Sequence, residues 1–275
     1  MKRLLGLALP LLLLLGSCSG PEPRVLRVCA DPNNLPFSNR AGQGFENRLA
    51  ELVAAELGAS LSYTWWAQRR GNVRETLNAG LCDLIPGVGA GLEMLATTAP
   101  YYNSAYFAVT RADRGLDVGS FDDPRLRRLR IGVQMIGDDF SNTPPAHALA
   151  RRGLIDNVRG YMVYGDYARS EPQANIVAAV AAGEIDVAFV WGPVAGFFAR
   201  RQPVGLDLTR VAPEDRISGL PMAFAVAMGV RRDDRELKRE VDEVLRRRSS
   251  TIAGILAEYG VPTVPTAPAP PEDDD

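Results

Sequence analysis

The chain has 275 residues, 46% of them hydrophobic, and its 31 basic and 33 acidic side chains leave a formal charge of −2. That balance, with no extended basic stretch interleaved with aromatics, argues against a nucleic-acid partner. The sequence carries one histidine and no Cys/His metal spacing, phosphate loop or nucleophile elbow, so no catalytic residue, metal or cofactor is assigned.

Lys2 and Arg3 lead into an apolar run from Leu4 to Leu15, followed by Gly16-Ser17-Cys18. A membrane span needs about 20 apolar residues, so this shorter run with a basic front and small-residue end is an export signal. Residues 1–17 are expected to be a lipoprotein signal peptide and Cys18 the acylated first residue of the mature protein, which places the chain in the periplasm, lipid-anchored to a membrane. An ordinary secreted protein with an incidental cysteine is the alternative. Cys29 and Cys82 then remain in an oxidising compartment that permits a bridge, worth about 4 kcal/mol for a loop of about fifty residues. Two buried thiols too far apart to bond is the other possibility.

Val25 to Ala30 predicts a strand that opens into Asp31-Pro32-Asn33-Asn34-Leu35-Pro36-Phe37. Phe45, Leu49, Leu52, Val53 and Leu57 recur at helical spacing before the stop at Gly58. A strand from Leu61 to Trp65 opens into Trp66-Ala67-Gln68-Arg69-Arg70, a helix is predicted from Asn72 to Ala79 with Gly80 behind it, and Leu84-Ile85 leads into Pro86-Gly87-Val88-Gly89. Strands alternating with helical crossovers make a parallel α/β unit, whose carboxyl-end loops border a ligand crevice.

The plan then repeats. Leu129 to Val133, Pro145 to Arg152 closed by Gly153, Val158 to Val163, and Gln173 to Ala182 closed by Gly183 read as strand, helix, strand, helix, and Ala79-Gly80-Leu81-Cys82-Asp83-Leu84 corresponds to Ala182-Gly183-Glu184-Ile185-Asp186-Val187. Ala105 to Arg111 and Phe224 to Val230 predict two strands that cross between the halves, and the pattern from Glu236 through Val241, Leu245, Ile252, Ile255 and Leu256 predicts helix packed on the first half. Lobe one is expected to comprise 24–107 plus 228–262 and lobe two 108–227, a hinged pair that closes over something between them. The clusters Arg125 to Arg130 and Arg246-Arg247-Arg248 read as solvated faces, and residues 263–275, rich in Pro and Ala and ending in four acids, as a disordered tail.

Several stretches carry a family resemblance: Val28 to Ser38, Gly44-Phe45-Glu46, Trp65-Trp66 with Gln68-Arg69-Arg70-Gly71, Thr97-Thr98 with Pro100-Tyr101-Tyr102, and Ile131-Gly132-Val133-Gln134. They resemble bacterial family 3 extracellular solute-binding proteins, from about Val25 to Val261. Gln134-Met135-Ile136-Gly137-Asp138-Asp139, Asn142 to Ala150, Gly160 to Tyr167 and Val190-Trp191-Gly192-Pro193 resemble a narrower branch, the J-type proteins associated with quinoprotein (methanol) dehydrogenases. The resemblance implies the type II periplasmic binding protein fold: α/β, two lobes each with a mainly parallel sheet flanked by helices, joined by two hinge strands. Amino-acid-binding members hold the ligand carboxylate with an Arg where Met94 stands here, and the ammonium with an Asp where Trp191 stands. A buried unpaired charge costs several kcal/mol, which argues against capture of an ordinary amino acid.

The expected cleft is drawn from Asp31, Asn34, Phe37, Trp66, Arg69, Arg70, Val88, Tyr102, Gln134, Ile136, Asp139, Asn142, Tyr164, Asp166 and Trp191. Trp191, after a strand and before a Gly-Pro helix start, would cap an apolar or planar group. Trp66 competes with a packing role, Arg69 and Arg70 with plain surface positions, and Asp31 and Asn34 with turn chemistry. Gln134, Asp138, Asp139 and Asn142 lack calcium-loop spacing, and His147 suits packing or surface better than general base. The expected function is a non-enzymatic, monomeric accessory protein that, as the resemblance implies, assists a PQQ-dependent alcohol dehydrogenase by binding a partner segment or ligand. The alternatives are the substrate-binding lipoprotein of an ABC importer, with its permease as partner, and a periplasmic dehydratase.

Overall fold

The computed structural model describes residues 23–137, 142–163 and 167–265. The signal segment, Cys18, Asp138, Asp139, Tyr164, Asp166 and most of the acidic tail lie outside the described residues. In chain order the elements are β1 (Val25–Ala30), β2 (Asn33–Asn34), β3 (Ser38–Asn39), α1 (Phe45–Glu56), β4 (Ser60–Trp65), α2 (Asn72–Glu75), β5 (Ile85–Gly89), β6 (Ala96–Thr97) and β7 (Tyr102–Arg111). There follow β8 (Ile131–Met135), α3 (Pro144–Arg151), β9 (Val158–Met162), α4 (Asn175–Ala181), β10 (Val187–Trp191), α5 (Gly192–Ala199), β11 (Leu206–Arg210), β12 (Ala223–Val230), α6 (Arg235–Arg247) and α7 (Ser249–Glu258).

Both halves use one strand order. In the first, β4 pairs parallel with β1, a parallel bridge at Val28 and Leu84 joins β1 to the approach of β5, and β5 pairs antiparallel with β12. In the second, β9, β8 and β10 pair in parallel and β10 meets β7 antiparallel. The fourth strand of each half therefore belongs to a segment that crosses between them. β7 and β12 pair with each other through Tyr102–Ala105 and Ala223–Val226, a short antiparallel ladder at the waist.

Apolar side chains alternate onto both faces of each sheet, so each half has two cores. Phe45, Leu49 and Val53 of α1 pack with Val241, Ile252 and Leu256 from α6 and α7 on one face of the first half, as the helical spacing requires. The opposite face is a smaller cluster of Val73, Leu77, Ile85 and Leu95 around the Cys29–Cys82 disulfide, whose Cα atoms are 5.5 Å apart. In the second half α4 and α5 cover one face of β7 and β10, while Leu126, Leu149 and Phe189 fill the other.

Helix α2 is shorter than its sequence predicts, ending at Glu75 rather than Ala79. Thr76 turns its hydroxyl onto the carbonyl of Asn72 at 2.6 Å, and its backbone leaves the helical region at φ −120°, ψ −78°. A threonine satisfied locally in this way competes with helix propagation. The chain then places Leu77, fully buried, against the disulfide.

Candidate functional site

The strand-end loops of the two halves face each other across a cavity of about 420 Å³. Its floor is the waist ladder itself, with Tyr102 and Tyr106 of β7 and Phe224, Ala225 and Val226 of β12 in the lining. Trp191 closes β10 over this floor, edge-on to Tyr106 at 5.4 Å and to Phe224 at 5.9 Å between ring centroids. Strand alternation places Trp191 on the face opposite the buried Val190, which is why the residue at the strand end reaches the gap.

The second half lines the cavity with amides. Gln134 Oε1 accepts the backbone N–H of Trp191 at 2.8 Å, and the Thr143 hydroxyl donates to the Gln134 carbonyl at 2.6 Å. Gln134 Nε2 donates to Gln173 Oε1 at 3.4 Å, Gln173 Nε2 to Asn34 Oδ1 at 3.2 Å, and Asn34 Nδ2 to Gln68 Oε1 at 3.1 Å. This chain of side-chain amides runs unbroken from one half to the other. Beside it Tyr167 donates its hydroxyl to Asp31 Oδ2 at 2.6 Å, Asn33 Nδ2 donates to the Arg169 carbonyl at 2.8 Å, and the Arg69 guanidinium lies 5.4 Å from the Tyr167 ring centre. The lobes are held together by their own side chains.

The first half contributes two carboxyl groups. Asp31 is satisfied by three donors, since Oδ1 accepts the Asn33 N–H at 2.8 Å and Oδ2 accepts the Gln68 N–H at 2.8 Å as well as the Tyr167 hydroxyl. Glu46, in the first turn of α1, is the opposite case: only 3% exposed, with Oε2 lacking any hydrogen-bond partner among the described residues. Burial, reinforced by the charge of Asp31, pushes its carboxyl up to about 8, so it carries its proton at neutral pH. Gly87 makes room for it, because a Cβ there would stand 2.0 Å from Glu46 Oε1. Among the described residues no lysine, arginine or histidine lines the cavity.

Of the residues nominated by sequence, Asp31, Asn34, Phe37, Val88, Tyr102, Gln134, Ile136 and Trp191 come together here. Trp66 does not; it is 43% exposed and stands outside the lining. Arg69 stacks on Tyr167 instead of facing the cavity, and Arg70 is exposed away from it. Asn142 braces its own loop, its Oδ1 accepting the N–H groups of Ile136 and Thr143 at 2.9 Å each and its backbone N–H donating to His147 Nε2 at 3.2 Å. Asp139, Tyr164 and Asp166 are outside the described residues. Met94 is 47% exposed and off the cavity, so neither it nor Trp191 offers a charge to a zwitterion.

Sequence reasoning missed Glu46, Gln68, Gln173, Tyr106 and Phe224. Glu46 had a signal. It sits between Phe45 and Leu49 in the core-facing stripe, where an acid in the first turn of a helix is easily read as dipole chemistry at the surface.

A family model for bacterial extracellular solute-binding proteins, family 3, matches residues 26–261. Protein MoxJ of Methylorubrum extorquens is 33% identical over 259 residues, covering 90% of this chain and 84% of that protein. Among solved structures, the periplasmic binding protein XoxJ from Methylobacterium extorquens AM1 is similar at 38% identity with a TM-score of 0.71, covering 88% of this chain and 100% of that one. MxaJ from Methlophaga aminisulfidivorans MPT is similar at 27% identity with a TM-score of 0.73, covering 87% and 100%.

Proposed function

Because this chain belongs to the bacterial extracellular solute-binding proteins of family 3, and within them to the MoxJ-type branch, we propose that it is a periplasmic accessory protein of a PQQ-dependent alcohol dehydrogenase, the class to which its J-type motifs point. The cavity receives a segment of that enzyme, and hinge closure grips it. The observation that carries this reading is a cavity, aromatic at its floor and cap, that among the described residues lacks the basic side chain a free amino acid's carboxylate demands. Cys18 anchors the protein to a membrane through lipid, and loss of labelled palmitate on Cys18→Ala tests that anchor.

The exported protein, fixed to beads, is incubated with periplasmic extract of its own bacterium grown on an alcohol. Wild type is expected to enrich a quinoprotein dehydrogenase, identified by mass spectrometry and quinone absorbance, and Trp191→Ala to enrich it less. A capture that never contains such an enzyme overturns the proposal.

The importer reading has one observation in its favour: a volume of about 420 Å³ suits a small solute. A metabolite present at 100 times its Kd adds about 2.7 kcal/mol to stability, so a thermal-shift screen decides it. Absence of any shift across amino acids, sugars and organic acids counts against the importer.

A further inference from the structure

We propose that the cavity is a site for an organic cation, an alkylammonium or guanidinium head that carries no carboxylate. The inference deepens the accessory reading and rests on it only in taking this cavity as the place where the protein binds.

Charge is the first argument. Among the described residues the carboxylic acids in the lining are Asp31 and Glu46, each 3% exposed, and no basic side chain accompanies them. Hydrogen bonding is the second. The three donors on Asp31 are supplied by the protein, whereas Glu46 Oε2 is a buried acceptor with no donor among the described residues. Buried polar atoms are ordinarily paired, so a buried acceptor without a donor, on a residue that lines the cavity, is a place for an incoming N–H once the carboxyl turns toward the space. The walls are the third. Tyr102, Tyr106, Trp191 and Phe224 present rings to the same space, and aromatic faces attract ammonium and guanidinium groups. An anion meets two carboxyl groups and nothing positive, while a zwitterion leaves its own carboxylate unpaired.

Binding is then coupled to a proton. Glu46 holds its proton at neutral pH, and an ammonium at Oε2 favours the carboxylate, so the proton leaves to solvent as the cation enters. The ionised form is supported by the N-terminus of α1, in whose first turn it stands. The groups that face Glu46 are Asp31 and the phenols of Tyr63, Tyr101 and Tyr102, and burial keeps all three phenols protonated beyond their ordinary range. Within the pH range where an alkylammonium stays charged, below about 10, Glu46 is therefore the group that titrates around 8.

The test is calorimetry of the mature protein with n-butylammonium as probe, against n-butanol, butyrate and norleucine. Butylammonium is expected to bind on the order of tenfold or more tightly than any of the three. Its affinity is expected to rise with pH through about 8, and its heat to depend on buffer ionisation enthalpy in the sense of proton release. Glu46→Gln is expected to weaken binding on the order of tenfold and to abolish both dependences. If that variant does not fold, the proton count on wild type decides alone. A second arm compares a capped peptide containing one lysine with the same peptide containing norleucine; preference for the lysine peptide over butylammonium identifies a partner's side chain as the source, and the reverse identifies a free amine. Equal affinity for butanol, binding without proton release, or no binding of either cation overturns the proposal. In that last case capture of a quinoprotein leaves the accessory reading standing, whereas cation binding without capture leaves the cation site and removes the partner.

Discussion

The two lobes solve the same structural problem differently. In each, an arginine at the start of the central strand clasps an aspartate 56 residues later, at the entrance to the third strand: Arg27 Nε to Asp83 Oδ2 at 3.0 Å, and Arg130 Nε to Asp186 Oδ2 at 3.1 Å. Each aspartate also accepts the arginine's own backbone N–H and recruits a second arginine, Arg231 in lobe one and Arg114 in lobe two. The short match between residues 79–84 and 182–187 is thus a repeated clasp. One residue inward from Asp83 and two beyond Arg27 the lobes part company. Lobe one places Cys82 and Cys29 there and bonds them. At the corresponding positions lobe two has Ile185 and Gly132, packed so closely that a Cβ on Gly132 would lie 2.5 Å from Ile185 Cδ1.

The helices explain the difference. The truncated α2 buries Val73 alone, whereas α4, its counterpart, buries Ile176, Val177, Ala179, Val180 and Ala181. A lobe with less apolar cover over one sheet face gains most from restricting its unfolded chain, and a covalent link does that. Lobe two has the cover and fills the equivalent space with an isoleucine.

The largest effect expected from breaking this comparison is on the disulfide. Cys29→Ala with Cys82→Ala should cost about 4 kcal/mol in urea unfolding, and reductant should destabilise wild type without affecting the double variant. Gly132→Cys with Ile185→Cys transfers the device to lobe two. If the lobes are true structural counterparts, the pair oxidises, and thiol titration will find no free sulfhydryl; two free thiols would break the correspondence.

Next come the clasps. Asp83→Ala and Asp186→Ala should each cost about 2 kcal/mol, a value held down by the exposure of the arginines, and equal shifts in urea midpoint would sharpen the parallel. The hydrogen bonds from Arg130 hold Asp186 well below the usual carboxylate range, with burial opposing. At Asp83 burial works against the charge and the bonds from Arg27 and Arg231 outweigh it. Because both folded values are depressed, the stability they contribute is complete above the ordinary value of 3.8 and is lost as pH falls through the folded values. In acid the two alanine variants should therefore converge on wild type.

The smallest effect belongs to a contact that has no counterpart within either lobe because it joins them. Tyr167→Phe removes the hydroxyl from Asp31 and should weaken closure by about 1 kcal/mol, read as an increased radius of gyration in small-angle scattering. An unchanged radius would mean that the amide chain from Gln134 to Gln68 holds the lobes without it.

Much of the fold was legible in the sequence because it is written in local patterns: period-two apolar runs for β1, β8 and β10, helical spacing for α1 and α6, and a repeated Gly-x-x-Asp step before each third strand. The crossing strands were legible for the same reason. The cavity was legible only where a loop announced itself after a strand, as at Asp31, Phe37, Gln134 and Trp191. Tyr167 and Gln173 reach across to Asp31 and Asn34, more than 130 residues back along the chain, and nothing local marks a side chain with so distant a partner. Trp66 misled because adjacent aromatics on one strand point to opposite sides, and Tyr63 stacks on Trp65 at 4.5 Å, leaving its neighbour outside.

The bottom of the cavity and the join between the lobes are the same four-residue ladder. Tyr102 and Phe224, the aromatic groups on which a guest would settle, belong to strands whose mutual hydrogen bonds join the two lobes. If the lobes hinge there, a guest would bear directly on the axle, and a shape that splays those rings would hold the mouth ajar however well it suited the rim.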